Sequence, residues 1–324
     1  MDGWDGSRFW VTAGSFDSLG PAVHTARLSS GHHVRYLDDG PRDELVAVFF
    51  GGAGTSVRAF RLLEFMRTLR YELGIRVVAV ERNGLGLTPF DPACGPAEHA
   101  DDVGEVLDLL EVDAFAVVAI SGGGPYAARL LARRPESVTS VHLACALSDH
   151  RAQSPLDVHL STVWADPVGW WTFPDSSAVH RIPGFVESAA EEATHALWGR
   201  GPEATSAGLE QAIEIYRHEE LPELTTMRAP TFLYWGAADE VVSPAHLRRW
   251  QEVLATPAVV RLYPGEGHDV QYRHWDQILC DVRYQGERTV LSRDGRTWLA
   301  PEAEVPAALA EDATLGLAAW ALSR

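Results

Sequence analysis

The sequence predicts an α/β protein built around a mostly parallel, doubly wound sheet. Short apolar runs, typical of strands buried on both faces of a parallel sheet, alternate with segments that have the apolar spacing of amphipathic helices. This alternation predicts strand–helix–strand units with right-handed crossovers. The predicted strands are residues 45–50, 76–80, 114–120, 138–146, 231–235 and 259–263, and the predicted helices are residues 57–73, 100–110, 126–133 and 245–254.

Two hairpins are predicted outside this core. Residues 24–28 and 33–37 flank Ser29-Ser30-Gly31 and predict an antiparallel pair of strands that leads into the sheet. Near the end of the chain, Asp294-Gly295 lies between Thr-Val-Leu and Arg-Thr-Trp, which is a strong hairpin signal. Residues 301–323 then predict a helix.

The alternation is interrupted between residues 149 and 228, where aromatic residues accumulate without a clear strand. We therefore expect a core formed by residues 22–148 and 229–285, with a helical lid inserted at residues 149–228. Residues 286–324 form a C-terminal extension in this prediction. The extension could cover a sheet edge, form a dimer contact or pack on the lid.

The composition indicates an acidic globular protein. The 324 residues include 27 Lys and Arg against 45 Asp and Glu, a formal net charge of −18. Such a surface repels phosphate backbones and anionic lipid, which argues against nucleic acid or a membrane surface as a partner. The chain contains no Lys, so Schiff-base chemistry and a P-loop lysine are excluded.

The cysteines and the apolar runs of the sequence indicate in which cellular compartment the protein is expected. Cys94, Cys145 and Cys280 are odd in number and lack C-x-x-C spacing, which predicts buried free thiols rather than a disulfide framework or a zinc site. The sequence shows neither a basic, apolar leader nor a run long enough to span a bilayer. We expect a cytoplasmic protein with no membrane span, and a homo-oligomer is left open.

The main functional signal lies where a predicted strand runs directly into a helix. The junction reads Ala119-Ile120-Ser121-Gly122-Gly123, the small-x-Ser-x-Gly form of a nucleophile elbow. Small residues are needed there because the sharp turn brings the backbone close to neighbouring strands. The helix N-terminus behind the serine favours developing negative charge. Ser121 is therefore the predicted nucleophile.

The same segment also matches a dinucleotide-binding fingerprint. Residues 122–127 have the form G-x-G-x-x-A, and Asp149 follows at the end of the next predicted strand. That fingerprint normally opens the first strand of its domain, whereas two predicted core strands precede this one. A nicotinamide-dependent oxidoreductase is thus an alternative from another class, as is a non-catalytic small-molecule-binding protein.

Residues 118–127 resemble the nucleophile elbow of the α/β-hydrolase superfamily, and the resemblance covers about residues 24–281. In that family an acid and a histidine follow the serine in this order, each after a later strand. Residues 236–244 resemble the acid loop G-x-x-D-x-x-x-P and carry Asp239. Residues 264–268 resemble the Gly-His loop and carry His268. The resemblance implies an α/β-hydrolase fold with a lid insertion.

The resemblance also implies a Ser-His-Asp triad. His268 would take the proton of Ser121 as general base, and Asp239 would hold the imidazole in the required tautomer. Glu240 and Asp149 are alternative acids. The other histidines lack such a placement, and no H-E-x-x-H or comparable spacing occurs, so we predict no metal and no cofactor.

An oxyanion hole needs two N–H donors. Gly122, directly after the nucleophile, is the first predicted donor. The loop after the first core strand, residues 50–54, resembles the family's H-G-G-P-G loop with Phe for His and Ala for Pro. Gly52 is its predicted donor and Ala53 the alternate. Residues 81–88 resemble the family's D-R-x-G-x-G-x-S turn, which we interpret as structural, with Arg82 pairing locally.

The predicted function is a serine hydrolase that cleaves an ester, thioester or lactone of a hydrophobic small molecule through an acyl-enzyme on Ser121. A carbon–carbon bond hydrolase and an iminopeptidase of the same fold are alternatives. The aromatic insertion predicts an apolar substrate pocket above Ser121. Its predicted lining residues are Trp164, Trp170, Trp171 and Trp198.

Overall fold

The computed structural model describes residues 20–41, 45–152, 173, 177–182, 184–197 and 207–317. Eight strands form one sheet in the order β1-β2-β4-β3-β5-β6-β7-β8. The pairs β1–β2 and β2–β4 are antiparallel, and all other neighbours are parallel. The strands are β1 Val23–Arg27, β2 His33–Asp39, β3 Leu45–Phe50, β4 Ile75–Val80, β5 Phe115–Ile120, β6 Val138–Ala144, β7 Thr231–Gly236 and β8 Val259–Tyr263.

This sheet confirms the predicted fold class. Every residue of β4, β5 and β7 is buried, because helices cover both faces of these parallel strands, and the apolar runs lack the alternation of a half-exposed strand. Both predicted strands of the N-terminal hairpin are present as β1 and β2. The core lies along β3, β5, β6 and β7, which places the ends of these strands around the site described below.

Among the four helices predicted between the core strands, one differs from the prediction. Predicted as a single helix over residues 57–73, that segment forms a 3-10 helix, Val57–Met66, followed by an α-helix, Arg67–Glu72. Nine of the ten residues of the 3-10 helix are buried, so tertiary packing rather than propensity decides its winding. The other α-helices of the described residues are Pro96–Leu109, Gly124–Arg133, Phe185–Leu197, Ala207–His218, Pro244–Val253, Val270–Arg273, Trp275–Tyr284 and Val305–Ala310.

The described parts of residues 149–228 are largely helical. They contain two short 3-10 helices, His150–Ala152 and Ala178–Arg181, and the helices Phe185–Leu197 and Ala207–His218. The four tryptophans predicted to line the pocket, at positions 164, 170, 171 and 198, lie outside the described residues. The division into core, lid and extension remains a prediction.

The C-terminal extension forms a second, three-stranded sheet. Strands β9 Arg288–Arg293 and β10 Arg296–Pro301 pair as the predicted hairpin, and β11 Thr314–Leu315 pairs with the other edge of β9. The prediction of a helix over residues 301–323 is wrong for the described part, since the only α-helix there is Val305–Ala310. Pairing with β9 overrides the helix propensity of this alanine-rich stretch.

The described part of the extension contacts the core, and the three roles left open for it stay predictions. Gln277, on the helix Trp275–Tyr284, accepts the N–H of Val290 at 2.8 Å and donates to the carbonyl of Arg288 at 3.0 Å. One buried amide therefore satisfies two backbone groups of β9. No helix of the described residues is long and apolar enough to cross a membrane.

Candidate active site

Three predicted residues meet at the carboxyl edge of the sheet. Ser121 follows β5, Asp239 lies in the loop after β7, and His268 lies in the loop after β8. Parallel strands end at the same edge, which brings these loops together. His268 Nε2 lies 3.0 Å from Ser121 Oγ, and His268 Nδ1 lies 2.9 Å from Asp239 Oδ2.

Ser121 occupies a strained turn. Its φ of 47° is in the left-handed region, which residues other than glycine rarely adopt. The next three residues are glycines with no room for a side chain. An added Cβ would overlap Tyr216 Oη at Gly122, the Phe50 carbonyl at Gly123 and the Leu147 carbonyl at Gly124. Close packing therefore requires these glycines.

The same packing argues against the dinucleotide fingerprint. In that motif, glycines leave space for a pyrophosphate to approach the backbone. Here the space beside Gly123 and Gly124 is filled by the carbonyl oxygens of Phe50, Gly51 and Leu147. Carbonyl oxygens at this distance exclude and repel a phosphate.

The carboxylate of Asp239 is fully engaged. Oδ1 accepts the N–H groups of Val241 and Val242, both at 2.9 Å, while Oδ2 faces His268. Burial acts to raise the pKa of Asp239, but attraction to His268 and these hydrogen bonds outweigh it and hold the pKa below its usual value. The carboxylate is therefore ionised at neutral pH and can hold Nδ1–H, leaving Nε2 to accept the Ser121 hydroxyl.

Cys145 is a further partner of this carboxylate, which the sequence analysis treated only as a buried thiol. It follows β6 with a φ of 45°, and its sulfur lies within 4.8 Å of the facing atoms of Asp239 and His268. Burial, chiefly, raises the pKa of the Cys145 thiol well above its usual value. The thiol is thus a neutral hydrogen-bond donor to Asp239.

Neither alternative acid takes this position. Asp149 is buried, but its carboxylate pairs with Arg249, with Nη2 at 3.0 Å, and accepts the N–H of Arg151 at 3.2 Å. Glu240 is exposed. Among the three acids that the sequence offered, the structure brings Asp239 to His268.

Comparison with known proteins places this chain in a family. The family model for the alpha/beta hydrolase fold matches residues 48–274. The chain belongs to this family. No curated protein matches the chain.

Solved structures of the same fold cover about four-fifths of the chain. An alpha/beta hydrolase fold protein from Nakamurella multipartita is 23% identical, with a TM-score of 0.62 over 82% of this chain and 100% of its own. A structure from work on carboxylesterases of Nitrososphaera gargenis is 16% identical, with a TM-score of 0.62 over 81% and 100%. A 2-hydroxy-6-oxo-6-phenylhexa-2,4-dienoate hydrolase from Rhodococcus is 18% identical, with a TM-score of 0.63 over 82% and 99%. At these identities the likeness shows the hydrolase fold.

The three predicted oxyanion donors lie beside the serine of this α/β-hydrolase. A Cβ added to Gly52 would lie 3.6 Å from Ser121 Cβ, and one added to Gly122 would lie 2.8 Å from Ala53 N. The loop is held by Thr55, whose hydroxyl donates to the Gly52 carbonyl at 2.8 Å. The backbone of the loop after β3 thus runs directly against the elbow.

The prediction that Arg82 pairs locally is wrong. Its guanidinium donates to the carbonyl oxygens of Gly52 and Gly122, which come from two distant loops. The local role belongs to Glu81, whose Oε2 accepts the N–H groups of Leu87 and Thr88, both at 3.0 Å. The sequence motif contains this arginine, but which distant carbonyl groups it contacts depends on how the loops pack.

The sequence analysis missed Tyr216. This residue lies on the helix Ala207–His218, and its hydroxyl donates to the Gly122 carbonyl at 3.0 Å. A tyrosine at one position of an amphipathic helix carries no sequence signal of such a contact.

Two clusters among the described residues bring three potential metal ligands within 4.8 Å of one another. One consists of Cys145, Asp239 and His268, in which Asp239 Oδ2 already faces His268 Nδ1 at 2.9 Å. The other consists of His32, Cys94 and Asp102. In this second cluster His32 Nδ1 already faces Asp102 Oδ2 at 3.0 Å. The absence of a metal remains a prediction.

Proposed function

We propose that this protein is a serine hydrolase that cleaves an ester, thioester or lactone of a hydrophobic small molecule through an acyl-enzyme on Ser121. The observation that carries the proposal is the continuous hydrogen-bond chain from Ser121 Oγ through His268 to Asp239, with links of 3.0 and 2.9 Å. In such a chain the base takes the proton of the serine hydroxyl and the acid holds the base in place, which makes the serine a nucleophile. Membership of the hydrolase fold family supports this reading.

The geometry assigns a role to each group. Ser121 Oγ forms the bond to the substrate carbonyl carbon while its proton moves to His268 Nε2, and the carbonyl oxygen becomes an oxyanion. The N–H of Gly122 and that of Gly52 or Ala53 stabilise this charge. The carbon–leaving-group bond then breaks and His268 returns the proton to the leaving group. Water, deprotonated by His268, releases the acid and restores Ser121.

A hydrophobic substrate is proposed from the aromatic residues of the predicted lid, two of which pack against the short helix that follows the base. Tyr272 follows His268 by four residues and packs against Phe173 and Phe185, with ring centroids 5.5 and 5.2 Å apart. Phe173 and Phe185 belong to the predicted lid. Phe185 and Tyr272 are buried, so these rings join the predicted lid to the core by an apolar contact. The predicted tryptophan lining extends this proposal.

The proposal is tested by intact-mass analysis after treatment with a fluorophosphonate. We expect one adduct on the wild type, none on Ser121→Ala and a much slower reaction of His268→Ala. The matched control is Ser148→Ala, because Ser148 Oγ also lies 2.9 Å from a buried histidine nitrogen, that of His246. Labelling of Ser148→Ala should equal that of the wild type.

Two outcomes would contradict the proposal. Folded wild type that takes no adduct lacks an activated serine, and an adduct that persists on Ser121→Ala places the nucleophile elsewhere. Bound nicotinamide released on denaturation would support the oxidoreductase alternative. With labelling established, ester, thioester, lactone, amide and carbon–carbon bond substrates distinguish the remaining activities of this fold.

A further inference from the structure

Arg82 is a buried cation without a carboxylate partner among the described residues. It is 5% exposed, and its guanidinium lies 5.0 Å from the centre of the Tyr126 ring. Its hydrogen bonds go to carbonyl and hydroxyl oxygens: the Gly52 carbonyl, the Gly122 carbonyl at 3.4 Å, the Thr55 carbonyl at 3.3 Å, and the hydroxyls of Thr55 and Tyr216 at 3.4 Å.

Another buried arginine, Arg70, has its positive charge paired with carboxylates. Arg70 is 0% exposed, and its guanidinium contacts the carboxylates of Glu64 and Asp39. A buried charge is costly unless it is paired. Arg82 lacks such a carboxylate among the described residues, and its charge is balanced by carbonyl and hydroxyl oxygens between the elbow and the loop after β3.

Arg82 holds the carbonyl oxygens of Gly52 and Gly122, and each contact fixes the plane of the peptide group to which that carbonyl belongs. In a planar trans peptide, the N–H points opposite to the carbonyl of the preceding residue, and the described residues contain no cis peptide. Holding the Gly52 carbonyl therefore directs the N–H of Ala53 away from Arg82. The Gly122 N–H is fixed separately, because Leu147 N–H donates to the Ser121 carbonyl at 2.8 Å.

Tyr216 completes this arrangement from another element. Its hydroxyl donates to the Gly122 carbonyl at 3.0 Å and accepts from Arg82 at 3.4 Å. The Arg82–Tyr216 pair thus joins the elbow, the loop after β3 and the helix Ala207–His218. Loss of either side chain would free one of the two loops to shift relative to the other.

We propose that Arg82 and Tyr216 are positioning residues of the oxyanion hole. They hold the elbow and the loop after β3 at the separation that suits the transition state. This inference rests on the proposed serine hydrolase function. It also makes the oxyanion hole depend on the helix Ala207–His218, which belongs to the predicted lid.

The test compares Arg82→Lys and Tyr216→Phe with the wild type. Lysine keeps the charge but cannot bridge two carbonyls as a guanidinium does, and phenylalanine removes one hydroxyl and keeps the ring. Arg70→Lys is the matched control, since it alters an equally buried arginine away from the site. Each variant is first checked for folding by thermal unfolding.

Two readouts separate positioning from a merely structural role. The first is kcat and KM for a p-nitrophenyl ester. The second is inhibition by a trifluoromethyl ketone, whose carbon bonds to Ser121 Oγ while the serine proton moves to His268 and the ketone oxygen becomes an oxyanion. The corresponding alcohol, which cannot form this adduct, is the control ligand.

We expect kcat to fall about tenfold in Arg82→Lys and about threefold or more in Tyr216→Phe, less than the loss of a direct oxyanion donor. KM should stay within about twofold, because the ground-state ester makes little use of the hole. The inhibition constant of the ketone should rise by the same factor as kcat falls. Affinity for the alcohol, and all values for Arg70→Lys, should stay close to wild type.

Other results would overturn the inference. A folded Arg82→Lys with wild-type kcat and ketone inhibition excludes a bridging role, and a fall in kcat without weaker ketone binding indicates a structural effect. If Arg82→Lys does not fold, an unchanged Tyr216→Phe overturns the inference by itself. A wild type that takes no fluorophosphonate refutes the proposed function, and this inference with it.

Discussion

Two residues at the site hold backbone conformations that side chains disfavour. Ser121 and Cys145 are the first residues after the adjacent strands β5 and β6, with φ values of 47° and 45°. Such conformations cost about 1 to 3 kcal/mol each and persist only where the surrounding structure determines them. Here the determining contacts are backbone hydrogen bonds, from Leu147 to the Ser121 carbonyl and from Cys145 to the Tyr234 carbonyl. Backbone hydrogen bonds at the edge of the sheet therefore offset the energetic cost of these two conformations.

The assignment of the acid leads to a prediction. Asp239→Asn replaces the oxygen that faces His268 Nδ1, so the imidazole is no longer held in the tautomer with Nε2 free to accept the serine proton. By analogy with studied triads, kcat should fall by about three to four powers of ten. The measurement is kcat for a p-nitrophenyl ester at neutral pH.

The control for this prediction is Asp149→Asn. Asp149 is also a buried carboxylate at the same edge of the sheet, but it pairs with Arg249. Its loss should lower stability and leave kcat within a few-fold of wild type. A large loss of kcat in Asp149→Asn with little effect in Asp239→Asn would show that the acid is assigned wrongly.

At the scale of elements, a glycine in the C-terminal hairpin allows the free-energy cost of a left-handed backbone conformation to be measured without a steric clash. Gly295 has a φ of 73°, and a Cβ added there would meet nothing within 4 Å. Gly295→Ala should therefore lower the free energy of unfolding by about 1 to 2 kcal/mol through backbone strain alone. Urea unfolding of wild type and variant measures this difference.

Gly267→Ala serves as the comparison. A Cβ at Gly267 also meets nothing within 4 Å, and its φ is not in the left-handed region. This variant should unfold at nearly the wild-type urea concentration. If both alanine variants are equally stable, the turn of the hairpin is not held in the conformation described here.

The elements also show where sequence patterns are sufficient. The six predicted core strands all occur, with ends that differ by a residue or two, because near-continuous apolar runs arise from burial on both faces. The predicted helix over residues 301–323 failed because β11 pairs with β9, a partner that local propensity does not register. Short-range signals were reliable where the structure is local, as at Asp294-Gly295.

At the scale of the whole molecule, buried carboxyls make stability depend on pH. Burial raises the pKa of Glu192 to about 7 and that of Asp276 to about 6, above their usual values of 4.5 and 3.8. The native state then binds more protons than the unfolded state over this range, so both groups reduce stability as the pH rises from about 4 to 7. Glu192 lies on the helix Phe185–Leu197 and accepts the N–H of Ser56 from the core at 2.9 Å.

The variant Glu192→Gln tests how much the buried carboxyl of Glu192 contributes to this dependence of stability on pH. The amide keeps the acceptor for Ser56 and removes the charge, so the variant should match the wild type near pH 4 and exceed its free energy of unfolding by about 1 to 3 kcal/mol near pH 8. Unfolding in urea at several pH values provides the measurement. The control is Glu187→Gln, since Glu187 is exposed on the same helix. A stability difference independent of pH would argue against a buried, proton-dependent Glu192.

The sequence by itself determined the fold class and predicted the nucleophile and the order of acid and base, because strand burial, a tight glycine-rich turn and loop motifs are encoded in short segments. The sequence favoured Asp239 as the acid and left Asp149 and Glu240 as alternatives. Only the tertiary structure decided which of their loops reaches His268, and it is that of Asp239. The tertiary structure alone also placed Arg82 and Tyr216 on the Gly122 carbonyl, 40 and 94 residues away along the chain. A side chain's own segment specifies its chemistry, whereas its partners depend on how distant loops pack at the edge of the sheet.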